Sequence, residues 1–193
     1  GAAVLTRLGH LTFHKSVRLS GAIRAVALPR RTLPSCEEAE RQLQAARACH
    51  EALRQAGAAR AELRTAEVSV FGAEGALRLA RARESGELDR FLAAAQPFEV
   101  QALRIGDICL AGIPGELFAE YGLQIKARAP LRTFPIAYAN GELQGYIVTP
   151  QAAAAGGYEA AGSLFEPAAG ERLVKEVLSA IDATLDEPPV PKT

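Results

Sequence analysis

Acidic and phenolic side chains occur in two segments whose residue types and spacing could do chemistry. In the first, Ile113-Pro-Gly-Glu116 follows the apolar run ICLAG, which is typical of a buried strand, and opens a predicted helix. Ligands bind at the carboxyl ends of strands in α/β sheets, so the Glu116 carboxylate could face a ligand or a metal. An acid in the first turn of a helix is also common because it complements the helix dipole, which is worth under about 1 kcal/mol.

The second segment is flanked by glycines and holds two tyrosines. Tyr146 ends the run Asn140-Gly-Glu-Leu-Gln-Gly-Tyr146, and Tyr158 follows in the run Gly-Gly-Tyr-Glu. A tyrosine in a loop commonly packs its ring and satisfies its hydroxyl. Near a metal, a phenol can instead be a ligand or can stabilise an oxyanion. The residues alone leave both alternatives open.

The three histidines give a second metal hypothesis. His10 and His14 are spaced i, i+4, which on a helix could hold a metal ion, but GHLTFHK is more typical of a strand or turn. His50 lies in an Ala-rich predicted helix and is expected on the surface. A catalytic zinc usually needs three protein ligands with histidine among them, so this chain by itself lacks a convincing full set of zinc ligands.

Composition limits the class of protein. The chain has 193 residues, of which 49% are hydrophobic, so it fits one domain, or a large piece of one, with a sizeable core. Its 22 basic and 22 acidic side chains cancel, which argues against a nucleic-acid binder. No apolar run is long enough for a transmembrane segment. The three cysteines lack metal-type spacing, and the compartment is left open. Because the chain begins with glycine and has no methionine, we expect a processed or excised piece of a longer protein.

The elements that must position these residues follow from propensity and periodicity. We predict an N-terminal extended segment (1–34), a helical arm (35–96), a part with strands and helices that holds the candidate site (97–186) and a disordered tail (187–193). The predicted fold class is α/β or α+β, with a mixed sheet, flanking helices and a peripheral helical arm. We expect the chain to be part of a larger domain. The predicted strands are 16–29, 98–105, 108–112, 133–139 and 145–148. The predicted helices are 36–67, with a break at Gly57, then 73–94, 115–128 and 168–185, with a short helical turn at 152–157.

Two longer runs carry a family resemblance. They are ALRIGDICLAGIPGELFAEYGLQIKARAP (102–130) and YANGELQGYIVTPQAAAAGGYEAAGSLFEPAAGERLV (138–174). In the order and spacing of their motifs they resemble the C-terminal half of the catalytic region of the neutral/alkaline, non-lysosomal ceramidases, including the smaller bacterial members. The run LPSCEEAERQL at the start of the helical arm also fits.

The resemblance implies a function and a set of site residues. The family hydrolyses the amide bond of ceramide to sphingosine and a fatty acid at a single zinc ion. By this resemblance Glu116 and Tyr146 are zinc ligands, and Tyr158 is a catalytic residue that binds the substrate's carbonyl or amide. The two histidine ligands lie in the family's N-terminal half. The expected partners are therefore that missing half of the same protein and a lipid amide substrate.

Departures from the family pattern define the alternative. The half with the two histidines is absent, and neither His10 nor His14 matches it. The loop before Tyr146 is one residue longer than usual and lacks the extra tyrosine after Asn140, and Val148 stands where proline is frequent. The alternative is a non-catalytic, ceramidase-like interaction or structural module, in which the three site residues are separated or buried. The hydrolase hypothesis predicts that they converge on an open cleft, and that an apolar face within 98–178 is uncovered.

Overall fold

A four-stranded mixed sheet organises the chain. The computed structural model describes residues 1–141 and 145–186; the predicted tail, 187–193, lies outside the described residues. The elements in chain order are α1 (Ala2–Leu8), β1 (Leu19–Val26), α2 (Cys36–Gln55), α3 (Arg60–Glu84), α4 (Glu87–Ala95), β2 (Phe98–Ile105), β3 (Ile108–Gly112), β4 (Glu116–Leu117), α5 (Ala119–Arg128), β5 (Arg132–Ile136), β6 (Tyr146–Ile147), α6 (Pro150–Ala155), α7 (Tyr158–Gly162) and α8 (Ala169–Asp186).

The order of the strands is β1-β2-β3-β5. The first three are antiparallel neighbours, whereas β3 and β5 run parallel and are joined through α5. The short strands β4 and β6 form a separate parallel pair. The predicted mixed sheet with flanking helices is confirmed.

One face of the sheet is covered by α8 and forms the core. Side chains alternate across a strand, and the alternate β2 residues Phe98, Val100 and Ala102 are buried on this face. An apolar stripe of α8 packs against them, with α5 alongside. Each Leu, Val or Ile buried in this way contributes about 1.5–3 kcal/mol. The stripe consists of Leu173, Val174, Val177, Ala180 and Ile181, all essentially inaccessible.

Tyr121 of α5 ties this core to the segment after β6. Its ring is buried and occupies the space that a side chain at Gly170 would need, so α5 and α8 approach closely only because that position is glycine. Its hydroxyl lies 3.3 Å from the carbonyl oxygens of both Val148 and Pro167. The burial raises the pKa of the Tyr121 phenol. The backbone just beyond Tyr146 is thereby fixed to the core.

The other face of the sheet is apolar and open. Leu103 faces Leu110 on β3, which in turn faces Phe134 on β5, and these side chains point away from α8. The large apolar residues of this open face are between 39% and 55% exposed. They are Leu19 and Ile23 on β1, Leu103 and Ile105 on β2, and Phe134 and Ile136 on β5.

The helices α2 and α3 form an antiparallel hairpin beside the sheet. Ser35 caps α2 by accepting a hydrogen bond from the Glu38 amide at 3.1 Å, which is half of the capping box that the sequence suggests. Ala39 and Ala80 are fully inaccessible where the two helices meet, so small side chains permit the close approach. As predicted, Gly57 with φ +67° separates the two helices.

Some predicted boundaries are wrong, and the short helices α1 and α7 were not predicted. The helix α3 continues without a break through 68–72, where the sequence suggested a gap. The helix expected from Gly115 begins only at Ala119, and α7 was predicted as part of no element. At the N-terminus, α1 ends at Leu8 and residues 1–17 are exposed. Across the described residues, no helix has the length and apolar character to cross a membrane.

Candidate functional site

Glu116 and Tyr146 lie side by side in the β4–β6 pair. They are direct partners in its parallel register, and the Glu116 amide donates to the Gly145 carbonyl at 3.1 Å. A second backbone bond, from the Phe118 amide to the Ile147 carbonyl at 3.2 Å, closes the pair. Because Glu116 is in a strand and not in the first turn of α5, the helix-dipole explanation for this acid does not apply.

Glycines before both residues make the pairing possible. Gly115 has φ +77° and Gly145 has φ +125°, conformations that L side chains rarely adopt. A Cβ at Gly145 would lie 3.2 Å from the Gly162 carbonyl oxygen. The glycines therefore bring Tyr146 close to the end of α7.

Tyr158 reaches the same place from α7. Gly156 and Gly157, with φ +76° and +97°, turn the chain so that α7 begins at Tyr158. The rings of Tyr146 and Tyr158 then meet edge to face, with centroids 5.8 Å apart and planes at 72°. The structure thus brings together the three side chains singled out from the sequence, and Tyr158 is 38% exposed beside the cleft.

The α3 helix supports α7 through a glycine. Gly72 is buried against it, and a Cβ at Gly72 would lie 3.1 Å from the Tyr158 Cα and 3.5 Å from the Ala161 Cβ. The helical arm is therefore part of the wall behind Tyr158.

Arg31 holds the other end of α7. Its guanidinium donates to the carbonyl oxygens of Ala161, at 2.7 Å, and of Ser163. Partial burial lowers the pKa of Arg31 from its ordinary value. The adjacent Arg30, by contrast, pairs with Asp89 at the surface. Nothing in the residue pattern distinguishes this arginine from its neighbour.

Tyr138 is a fourth member of the site that sequence reasoning missed. Its hydroxyl donates to a Glu116 carboxylate oxygen, and its side chain is 66% exposed. Tyr138 and Asn140 have φ values of +56° and +66°, which turn the chain after β5 and direct Tyr138 toward Glu116. The prediction of a strand through 133–139 concealed this turn, and only the Asn140-Gly pair signalled it.

The phenols around Glu116 keep their protons. Burial, and then the neighbouring Glu116 carboxylate, raise the pKa of Tyr146 well above its usual range. The hydrogen bond to Glu116 likewise raises the pKa of Tyr138. The cluster therefore carries a carboxylate surrounded by neutral phenols. A bound cation inverts this balance, because it becomes the largest local charge and favours the deprotonated phenol.

The donor set fits part of a zinc site. A carboxylate and a phenol supply oxygen ligands, but a catalytic zinc normally has three protein ligands with histidine among them. Within 1–141 and 145–186, no group of three or more His, Cys, Asp and Glu residues is placed to hold a metal ion. His10 and His14 lie beyond the end of α1, so the helical i, i+4 arrangement that the second metal hypothesis requires is not formed.

An open groove adjoins the two tyrosines. Its volume is ≈ 490 Å³, and it runs between the tyrosines, α3 and α4. Apolar side chains predominate in its wall, as in most small-molecule sites. The lining residues are Gly72, Gly75, Arg78, Leu79, Ala82, Glu87, Leu88, Phe91, Gly145, Tyr146, Tyr158, Gly162 and Leu164.

Comparison with known proteins gives structural neighbours only. The chain matches no family profile and no curated protein. It is similar to the neutral ceramidase from Pseudomonas aeruginosa, with 25% identity and a TM-score of 0.41 over 50% of this chain and 16% of that chain. It is also similar to a ceramidase complexed with C2, with 25% identity and a TM-score of 0.39 over 49% and 16% of the two chains. The chain therefore spans a small part of the length of these ceramidases.

Proposed function

We propose that this chain contributes part of the active site of a zinc-dependent amidohydrolase of ceramidase type, which cleaves the N-acyl bond of a lipid amide. The observation that supports this most directly is that Tyr146 is next to both Glu116, its strand partner, and Tyr158, whose ring it contacts, and that the two tyrosines line one open groove. Glu116 and the two tyrosines come from two separate segments of the chain, and Tyr158 follows Tyr146 by twelve positions. The alternative, a non-catalytic module, predicts instead that the three residues are separated or buried.

Each residue has a distinct role in the proposal. Zinc, when bound, polarises the amide carbonyl and activates water. Glu116 and Tyr146 are two of its oxygen ligands, and the β4–β6 backbone bonds hold both side chains in place. Tyr158 donates a hydrogen bond to the substrate's carbonyl oxygen, which gains negative charge as water adds. Tyr138 orients the Glu116 carboxylate by donating to one of its oxygens.

The remaining ligands come, in this proposal, from the N-terminal half of the same protein. Two histidines from that half complete the zinc site, because the described residues supply only the oxygen donors. The open face of the sheet is the surface on which that half packs. Its six exposed Leu, Ile and Phe side chains lie on β1, β2 and β5, and the half-buried Leu110 of β3 lies between those of β2 and β5. Apolar patches of this kind mark interaction surfaces.

The proposal is tested by amide hydrolysis in the full-length protein. With a short-chain ceramide as substrate, Tyr158→Phe is expected to lower kcat about 10²–10³-fold, the usual cost of losing one oxyanion donor. The zinc content stays unchanged, because the phenylalanine ring keeps the contact with Tyr146. Glu159→Gln, on the exposed side of the same helix, is the control and retains activity. Hydrolysis at the wild-type rate by Tyr158→Phe, or none by the wild type with zinc, contradicts the proposal.

A further inference from the structure

The groove beside the tyrosines has a guanidinium in its wall that the proposed chemistry does not use. Arg78 of α3 lines it together with Tyr146 and Tyr158. Six ion pairs occur among the described residues, and Arg78 takes part in none of them. A cation that lines a largely apolar groove next to a reactive site is suited to recognise an anionic group of a ligand.

A glycine directs Arg78 toward the site. Its Nη2 atom lies 3.7 Å from the point where a Cβ at Gly75 would be, so the side chain folds back along α3 toward its N-terminus. Gly75 is one helical turn, roughly 4.5 Å of rise, from Gly72, which contacts the Tyr158 backbone. The guanidinium and the Tyr158 backbone thus lie against neighbouring glycines of α3, and both residues line the groove.

The rest of the groove wall is apolar on the same side. Leu79 and Ala82 of α3, Leu88 and Phe91 of α4, and Leu164 provide a surface for an alkyl chain or an apolar side chain. A ligand that satisfies both features has an anionic group close to the scissile amide and an apolar chain. Ceramide has the apolar chains but carries no anionic group.

We infer that Arg78 binds the carboxylate of the substrate, and that the substrates of this site are N-acyl amino acids. This inference rests on the proposed function. In such a molecule one carbon separates the carboxylate from the amide nitrogen, so Arg78 and Tyr158, which line the same groove, can contact the carboxylate and the amide of one molecule. Water adds its oxygen to the acyl carbon and the C–N bond breaks, which gives a fatty acid and a free amino acid.

Glu87 is the other charged side chain among the described groove residues. It lies in the first turn of α4. Glu87 and Arg78 are both exposed, so solvent and salt screen the charge of each, and their effects on an anionic ligand are largest at low salt. The two charges make Glu87→Gln a useful companion variant. Removal of this acid is expected to strengthen the binding of an anionic ligand modestly, whereas loss of Arg78 weakens it.

The test is equilibrium binding without turnover to the full-length protein. The probe is the ketone analogue of N-octanoylglycine, in which a methylene group replaces the amide N–H so that there is no C–N bond to cleave. The matched neutral ligand is the primary amide of this ketone acid. At low salt the acid is expected to bind about tenfold more tightly than the amide, as a bidentate arginine–carboxylate pair allows. This ratio falls to about one in Arg78→Gln, is intermediate in Arg78→Lys, and is unchanged in Arg90→Gln, which lies outside the groove.

The outcomes separate this inference from the proposed function. Equal binding of acid and amide to the wild type, no binding of either, or a preference that survives Arg78→Gln overturns the inference. Circular dichroism of each variant excludes unfolding as the cause of a lost preference. Failure of the proposed function is seen separately, as an absence of zinc-dependent hydrolysis of any lipid amide.

Discussion

The carboxylate of Glu116 is the negative charge of this site, and the phenols lie beside it. Tyr138 donates to it, Tyr146 is its strand partner, and Tyr158 lies against Tyr146. Burial, and then the Glu116 carboxylate, raise the pKa of Tyr146, and the hydrogen bond to Glu116 is the largest cause of the raised pKa of Tyr138. A neutral phenol is a hydrogen-bond donor, whereas a phenol next to a metal ion can become a ligand. The protonation state of the cluster therefore reports on whether a cation is bound.

Replacing Glu116 with glutamine is expected to lower the pKa of both Tyr138 and Tyr146. The substitution removes the negative charge that lies beside both phenols. It also replaces the charged acceptor of the Tyr138 hydrogen bond with a neutral one. An ultraviolet titration of metal-free protein measures the change as phenolate absorbance that develops at lower pH. Glu99→Gln, on an exposed part of β2, is the control. An unchanged titration curve in Glu116→Gln contradicts the described contacts.

The same contacts affect stability at alkaline pH. A phenol whose pKa is raised on folding stabilises the folded state fully below its ordinary pKa near 10, and this contribution is lost as pH rises through the folded-state pKa. Glu116→Gln reduces the shift. The alkaline decrease in stability that these two tyrosines cause is therefore smaller in the variant.

Residue types made Glu116, Tyr146 and Tyr158 candidates and the family resemblance gave them roles, but neither pointed to Tyr138 or Arg31. The first three lie in Gly-flanked motifs with a recognisable order. Tyr138 reaches Glu116 only because the backbone at 138 and 140 is left-handed. Arg31 binds carbonyl oxygens that are 130 and 132 positions away in the chain. Contacts of that sequence separation leave no local pattern.

At the scale of elements, α3 is both a partner of α2 and the wall behind α7. The sequence suggested an interruption near residue 70, because two glycines and β-branched residues lower helix propensity there. Tertiary packing overrides that cost, since Gly72 admits the α7 backbone and Val70 and Ala73 pack at the α2 interface. Strand β4 was missed for a different reason. Its two residues are too few to give a periodicity.

A matched pair of glycine substitutions tests this packing. Both Gly72→Ala and Gly75→Ala gain up to about 1 kcal/mol of helix propensity. At Gly75 the nearest atom to the new Cβ is 3.7 Å away on a flexible arginine, whereas at Gly72 it is backbone at 3.1 Å. Gly72→Ala is therefore expected to be less stable than Gly75→Ala by about 1–2 kcal/mol, because α7 must move.

Chemical denaturation measures the difference between the two variants. The displacement of α7 also changes the edge-to-face contact of Tyr146 and Tyr158, which near-ultraviolet circular dichroism detects. Equal stabilities and equal tyrosine spectra for the two variants contradict the described approach of α3 to α7.

At the scale of the whole molecule, the sheet has one packed face and one open face. Successive residues of a strand point to opposite faces of the sheet. In β1 and β2 large apolar residues occur on both faces, and not only on the face that α8 covers. Strands buried on both faces have this pattern. The sequence therefore predicts a second covering layer, and the described part of the chain supplies only the first, formed by α8 and α5.

Leu103→Lys in the full-length protein tests the proposed cover. If the N-terminal half packs on this face, the substitution buries a charge and is expected to cost about 3 kcal/mol or more of stability. Leu123→Lys on α5 is the control, because Leu123 is also exposed but lies away from the open face, and it changes stability by less than about 0.5 kcal/mol. Equal, small effects of both substitutions indicate that nothing covers the open face.

Zinc binding by the full-length protein is the most direct test of the central proposal. Metal analysis of the purified protein is expected to give one zinc per chain, held by Glu116, Tyr146 and two histidines. The double variant Glu116→Gln, Tyr146→Phe removes half of these ligands, so it is expected to lose zinc on dialysis against a chelator that leaves the wild type and Glu159→Gln loaded. Zinc that the double variant retains as tightly as the wild type contradicts the assignment of both residues.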